Sequence, residues 1–122
     1  MTSISPKNIS PDQINTHLKT TPFKYTIIKL GATWCGPCKQ ISPILQGIIS
    51  SNNSVELIDI DVDNNVEIYI FYKKMLKVRG LPTVLLYRKT EYNEDKFYIP
   101  HNSVVGYNPN SFNYVIKEFL SS

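Results

Sequence analysis

The sequence is short of cysteine and histidine and carries little excess charge. Its 122 residues include two cysteines and two histidines, and both cysteines fall in one short motif, as expected in a reducing, cytoplasmic compartment. The net charge is +3 and no long run of Lys or Arg is present, so a nucleic-acid role is unsupported. The one basic cluster, residues 73–79, has helical spacing and is interpreted as a solvated surface.

Long apolar runs are also missing. No stretch approaches the ~20 apolar residues of a membrane span, and residues 1–13 are polar and contain prolines, unlike a signal peptide. A chain of 122 residues can bury roughly two-thirds of its unfolded surface. We therefore expect one domain over residues 1–122, monomeric and with no membrane segment.

The most informative feature present is a pair of closely spaced cysteines. Cys35-Gly36-Pro37-Cys38 follows Trp34 and lies between a β-type run and a helical-type run. Unpaired N–H groups and the positive dipole end at a helix start favour an anion, so the first thiolate is stabilised. The thiolate attacks in thiol–disulfide exchange, and a second cysteine can then close a disulfide and release the product. The pair predicts a redox switch.

Two structural roles compete with redox chemistry for Cys35 and Cys38. A zinc site needs four ligands, and beyond the cysteines the chain offers only His17 and His101, neither at ligand spacing. A structural disulfide is the other alternative, although so small a loop restrains the unfolded chain little. We expect no metal and no cofactor.

Hydrophobic periodicity predicts alternating strands and helices. Ser10 as N-cap, Pro11 and Gln13 indicate a short helix that ends before Pro22. Apolar residues recur at helical spacing from Ile41 to Ile49, with an internal proline that predicts a kink. Strands are predicted at residues 25–32, 55–62, 83–87 and, interrupted by a proline, within 96–105, and a last helix starts at 108–109.

Residues 67–72 and 88–95 need separate arguments. The β-branched and aromatic content of 67–72 favours a strand, whereas the cap-like residues 63–65 before it favour a helix. We predict a helix, because strand–helix–strand alternation makes a right-handed parallel crossover. Residues 88–95 are polar and charged and predict a hairpin loop.

Several of these segments together resemble the thioredoxin family. Residues 32–39 (ATWCGPCK) and 41–44 resemble its active-site loop and kinked helix, and residues 78–83 (VRGLPT) resemble its cis-proline turn. Residues 60–63 resemble its middle strand, and 105–106 the end of its last strand. The resemblance covers about residues 9–120. It implies the α/β thioredoxin fold, a central mixed β-sheet flanked by helices on both faces.

The resemblance also implies a function. The protein would be a thiol-disulfide oxidoreductase that reduces disulfides in protein substrates, receives electrons from a thioredoxin reductase-like donor, and serves electron transport and cell redox homeostasis. Cys35 would be the exposed nucleophile, Cys38 the more buried resolving thiol, and the two would form the redox disulfide. Two alternatives stay open: a disulfide donor or isomerase, and a thioredoxin-fold binding module with incidental redox activity.

Further site residues follow from the same resemblance. The Leu81–Pro82 bond is expected to be cis, with Pro82 against the cysteines and the Leu81 backbone within reach of a substrate strand. Trp34 is expected to lie partly exposed over the active site. The remaining expected substrate-binding residues are Gly36, Pro37, Thr83 and Gly106.

The sequence departs from the family in one charged pair. The family usually carries a buried carboxylate at the position of Lys29 and a lysine at that of Asp59. Each unpaired buried charge would be unfavourable, but together the two satisfy each other. We expect Asp59 to accept a proton from Cys38, and Lys29 to add positive potential under Cys35. The alternative is that Lys29 extends to solvent.

Two further departures concern shape. Gly31 stands where the family often has an aromatic residue, which predicts a shallower wall beside the active-site loop. The chain is also longer between Asp63 and Pro82 and in the hairpin between Tyr87 and Gly106. That hairpin is expected to project from the end of the sheet away from the cysteines, as a tolerated surface insertion rather than a docking surface.

Overall fold

The computed structural model describes residues 2–121, so the expected domain 1–122 extends one residue beyond it at each end. Within this range the chain forms a five-stranded sheet and four α-helices. The strands are β1 (Ser3–Ile4), β2 (Tyr25–Gly31), β3 (Val55–Asp61), β4 (Thr83–Arg88) and β5 (Asn102–Val105). The helices are α1 (Pro11–Thr20), α2 (Gly36–Ser51), α3 (Val66–Leu76) and α4 (Pro109–Leu120). No helix in the described range is long and apolar enough to cross a membrane.

The sheet is mixed, with β2 at its centre. The strand order is β1-β3-β2-β4-β5; β1, β3 and β2 run parallel, and β4 is antiparallel to β2 and β5. Successive residues of a strand point to opposite faces. Ile28 packs with α1 and α3 residues, whereas Ile27 packs with α2 and α4 residues. Helices therefore cover both faces, which confirms the predicted α/β thioredoxin fold.

Local signals placed the starts of α1 and α4 correctly. Ser10 Oγ accepts from the N–H of Gln13, and the Gln13 side chain accepts from the N–H of Ser10, which completes the capping box. The Asn108 side chain caps α4. The ambiguous residues 67–72 are helical, and their helix ends where Lys77 adopts a left-handed conformation with φ of 58°.

The returning strand and its connection differ from the prediction. The strand covers only Asn102–Val105, and two 3₁₀ turns occupy residues 89–96. A proline at position 100 removes a backbone donor, which shortens the ladder. The connection packs against the helices instead of projecting: the Tyr92 hydroxyl donates to Asn15 of α1, and Phe97 stacks on Phe71 of α3 at 5.9 Å between ring centroids.

Candidate active site

The cysteine pair lies at the start of α2, directly beyond the end of β2. Cys35 is the N-cap, and its Sγ accepts a 3.2 Å hydrogen bond from the N–H of Cys38. The two form a disulfide with a Cα–Cα distance of 5.3 Å. Helix α2 thus begins at Gly36, earlier than its apolar periodicity indicates, because a cysteine supplies the cap.

Both cysteines are buried. Cys35 is 6% exposed and Cys38 is 2% exposed, so the expectation of an exposed nucleophile is wrong for this disulfide form. The Cys35 side chain turns back over the first turn of α2 to accept the Cys38 N–H, which shields its sulfur. The expected order is retained, since Cys35 is the more exposed of the two.

The proline turn lies at the same end of the sheet. The Leu81–Pro82 bond is cis, as predicted, and the Pro82 carbonyl accepts a 2.7 Å hydrogen bond from the N–H of Gly106. Gly106 has φ of +74°, which favours glycine. Thr83 is buried, and its hydroxyl donates to the Gly80 carbonyl at 2.7 Å. Thr83 therefore supports the turn and offers little surface to a substrate.

Trp34 provides a large exposed surface directly before the cysteines. The residue is 68% exposed, more than the partial exposure expected. Its Nε1 donates a 2.9 Å hydrogen bond to Asp63 Oδ2, which orients the indole. Sequence reasoning missed the role of Asp63, because 29 residues separate the two partners. Gly36 and Pro37 are also exposed.

Lys29 and Asp59 form the predicted charge-swapped pair. They are opposite each other in the β2–β3 register, and Lys29 Nζ lies 3.6 Å from Asp59 Oδ1. The Lys29 side chain is 7% exposed and that of Asp59 is 32% exposed. Pairing is therefore confirmed, and the alternative of a lysine reaching into solvent is wrong.

Ser42 also holds Lys29, which the sequence analysis did not anticipate. Lys29 Nζ donates to Ser42 Oγ at 2.6 Å, and the same hydroxyl donates to the carbonyl of Cys38 at 3.1 Å. The sequence signal that could have indicated this contact is the spacing of four residues between Cys38 and Ser42, which places the two on one face of a helix. Lys29 is thereby connected to the backbone of Cys38 through one side chain.

A cavity of about 530 Å³ opens beside these residues. Its lining includes Lys29, Gly31, Cys38, Ser42 and Asp59. A Cβ on Gly31 would lie 3.2 Å from Lys29 Cε and 3.3 Å from Cys38 Sγ. The absence of a side chain at this position therefore leaves room for the lysine next to the sulfur. The predicted shallow wall is in fact a cavity that reaches Cys38.

Comparison with known proteins gives the family. A model of the thioredoxin family matches residues 6–105, so the chain belongs to the thioredoxin family. With its closely spaced cysteine pair it is a thiol–disulfide oxidoreductase. Thioredoxin Asp f 29 of Aspergillus fumigatus is 34% identical over 97 residues, which are 78% of this chain and 77% of that protein.

Two further relatives extend the comparison. The crystal structure of reduced thioredoxin pre-protein from Schistosoma mansoni superposes with a TM-score of 0.71 at 24% sequence identity. The aligned region covers 98% of this chain and 99% of the Schistosoma chain, which shows that the two share a fold. A bifunctional thioredoxin reductase/thioredoxin of Mycobacterium leprae is 35% identical over 66 residues. That match spans 53% of this chain and only 14% of the bacterial protein.

Proposed function

We propose that this protein reduces disulfide bonds in protein substrates, with Cys35 as the nucleophile and Cys38 as the resolving thiol. The observation that supports this assignment is the position of Cys35 as N-cap of α2, where its sulfur accepts the N–H of Cys38. A helix N-terminus stabilises a thiolate at this position. Cys38 lies inside the first turn and receives no comparable stabilisation from the helix end.

The reaction proceeds through two exchanges. The Cys35 thiolate attacks a substrate disulfide, forms a mixed disulfide and releases the first substrate thiolate. Cys38 then loses its proton and its sulfur bonds to Cys35, which breaks the mixed disulfide and releases the second substrate thiolate. The substrate gains two electrons, and the protein is left with the Cys35–Cys38 disulfide present in this structure.

Substrates would bind across the exposed surface beside the cysteines. Exposed Trp34, Gly36 and Pro37 border the pair along the chain. The turn around Leu81 and Pro82 and residue Gly106 lie at the same sheet end, tied together by the Gly106 N–H to Pro82 carbonyl bond. An extended substrate strand would hydrogen-bond the Leu81 backbone there.

Asp59 would take the proton that Cys38 loses. Its carboxylate is one of the groups that line the cavity next to Cys38, and its partial exposure gives it contact with water. Transfer through one water is within the reach of a general base. Lys29 would stabilise the negative charge that develops on the sulfur.

The electron source would be a separate reductase of the thioredoxin reductase type. The Mycobacterium leprae relative combines both activities in its name, which supports such a partner for this chain. The confinement of both cysteines to the active-site motif supports a reducing, cytoplasmic setting. We further propose that the protein works as a monomer in electron transport and redox homeostasis, since one active-site face suffices for exchange.

A single-turnover assay tests this proposal. Protein reduced with dithiothreitol and freed of it is mixed with unfolded, disulfide-bonded ribonuclease A, and new substrate thiols are counted. We expect reduction by the wild type and none by Cys35→Ser or Cys38→Ser. A reduction potential near the ~−270 mV of reducing members supports this direction, whereas one near ~−120 mV would assign a disulfide donor instead. A double Cys35→Ser, Cys38→Ser variant that still binds its partner and supports function would leave only a binding module.

A further inference from the structure

Ser42 contributes two hydrogen bonds that meet at one hydroxyl. It accepts from Lys29 Nζ at 2.6 Å and donates its single proton to the Cys38 carbonyl at 3.1 Å. The contact between Lys29 and Asp59 is longer, at 3.6 Å, and exceeds ordinary hydrogen-bond length. The ammonium is therefore drawn toward the helix that carries Cys38 and away from full contact with the acid.

Gly31 supplies the space that this arrangement needs. The point where its Cβ would stand lies 3.2 Å from Lys29 Cε and 3.3 Å from Cys38 Sγ. Both distances are shorter than ordinary van der Waals contact, so an added Cβ would require a neighbouring atom to move by a few tenths of an ångström. An added methyl group would therefore shift the lysine stem, the sulfur or both. The space left by the missing side chain at position 31 is bordered by the lysine stem and the Cys38 sulfur.

We propose that Ser42 and Gly31 are positioning residues for the second exchange, in which Cys38 attacks Cys35 to release the substrate. This inference rests on the proposed disulfide-reducing function. The two residues hold the Lys29 ammonium beside Cys38, where its charge favours the thiolate. Asp59 lines the same cavity as Cys38 and would accept the proton that leaves it. In this proposal the Lys29 cation acts on the resolving sulfur of Cys38.

The two exchanges can be followed separately with 5,5′-dithiobis(2-nitrobenzoate), a small coloured disulfide. Attack by Cys35 on it releases one coloured thiolate at a rate proportional to reagent concentration. Attack by Cys38 on the resulting mixed disulfide releases a second at a rate independent of reagent. Stopped-flow traces across a pH series therefore give the rate of the resolving step and its pH profile separately from those of the first exchange.

Matched variants isolate the proposed role. Ser42→Ala should slow the resolving phase by about tenfold at neutral pH, equivalent to a shift of its profile by one pH unit, and leave the first phase within about twofold. Ser42→Thr, which keeps the hydroxyl, should restore most of the rate. Ser51→Ala is the control, since Ser51 makes the same backbone bond to Gly47 on the same helix. It should leave both phases unchanged.

A second pair of variants tests the space at position 31. Gly31→Ala should also slow the resolving phase, whereas Gly47→Ala, where an added Cβ meets no atom within 4 Å, should not. Circular dichroism checks that each variant is folded. If the resolving rates and pH profiles of Ser42→Ala and Gly31→Ala match those of their controls, the positioning role is overturned. Failure of the wild type to reduce ribonuclease A would instead overturn the proposed function, while these phases remain measurable.

Discussion

Lys29 Nζ and Asp59 Oδ1 lie 3.6 Å apart across two parallel strands, with the cation in the core and the acid at its edge. The side chain of Lys29 is 7% exposed, against 32% for Asp59. Loss of the opposite charge is therefore more unfavourable for Lys29 than for Asp59. Removal of the acid leaves a buried ammonium, whereas removal of the lysine leaves a carboxylate that water can reach.

This asymmetry predicts unequal losses of stability. Asp59→Ala should lower the free energy of unfolding by about 3 kcal/mol, because it removes the opposite charge that faces a buried ammonium. Lys29→Met should lower it by only about 1 kcal/mol, since the long apolar side chain refills the core. Urea unfolding at neutral pH measures both values.

A variant in which the charges of Lys29 and Asp59 are exchanged tests whether the two side chains interact. Lys29→Asp with Asp59→Lys should regain much of the stability that Lys29→Asp alone loses, because opposite charges again face each other. Losses that simply add in the double variant would show that the two side chains do not interact.

The roles of the two cysteines predict opposite trapping behaviour. Cys38→Ser retains the nucleophile but cannot complete the second exchange, so it should accumulate mixed disulfides with substrate proteins. Cys35→Ser should accumulate almost none. Non-reducing electrophoresis after reaction with unfolded ribonuclease A displays the adducts, and trapping by Cys35→Ser alone would reverse the assignment.

Away from the cysteines, buried Glu56 ties three elements together. Its Oε2 accepts from Thr21 Oγ1 at 2.6 Å and Thr26 Oγ1 at 2.7 Å, and lies 2.9 Å from His17 Nε2. Burial raises the pKa of Glu56, but the hydrogen bonds from His17, Thr21 and Thr26 outweigh it and hold that pKa below its ordinary value. The contact of His17 with Glu56 thus anchors α1 to β3.

The lowered pKa of Glu56 predicts a dependence of stability on acid. Its contribution is present above the pKa of the unfolded chain, about 4.3, and is lost as the pH falls through the lower folded pKa. Glu56→Gln should therefore destabilise the protein by about 1–3 kcal/mol at pH 7 and by less at pH 3. Urea unfolding at both pH values measures this, with Glu118→Gln on the exposed face of α4 as control. An equal loss at both pH values would contradict it.

A pair of buried tyrosines gives a further prediction. The Tyr72 and Tyr87 hydroxyls lie 3.2 Å apart, and Tyr87 also donates to the Tyr98 carbonyl at 2.8 Å. Tyr87→Phe should lower the free energy of unfolding by about 1–3 kcal/mol, since it leaves the buried Tyr72 hydroxyl and the half-buried Tyr98 carbonyl without this partner. Tyr114→Phe, at an exposed tyrosine, should change it by less than about 0.5 kcal/mol.

Alkaline titration checks the same pair. Burial raises the pKa of both Tyr72 and Tyr87 well above the usual range. Their ultraviolet ionisation signal should therefore appear only with alkaline unfolding, which circular dichroism follows in the same samples. Ionisation of this pair while the protein is still folded would show that it is accessible to solvent.

The features that the sequence determined by itself are local ones. A strand-type run, a cysteine pair and a helical run are contiguous, so the redox motif at a helix start followed from order along the chain. The caps Ser10 and Asn108 act within three residues of their partners. The placement of Lys29 opposite Asp59 came instead from the resemblance to the thioredoxin family, since the register of parallel strands belongs to the fold.

The tertiary structure alone decided what meets across elements. Ser42 approaches Lys29 only because α2 packs over the central strand, and Asp63 reaches Trp34 from a different segment. The packing of Tyr92 on α1 and of Phe97 on α3 likewise depends on partners that lie far away along the chain. These contacts are set by close packing of a shared core, and periodicity within one segment carries no information about which distant side chain will fill the neighbouring space.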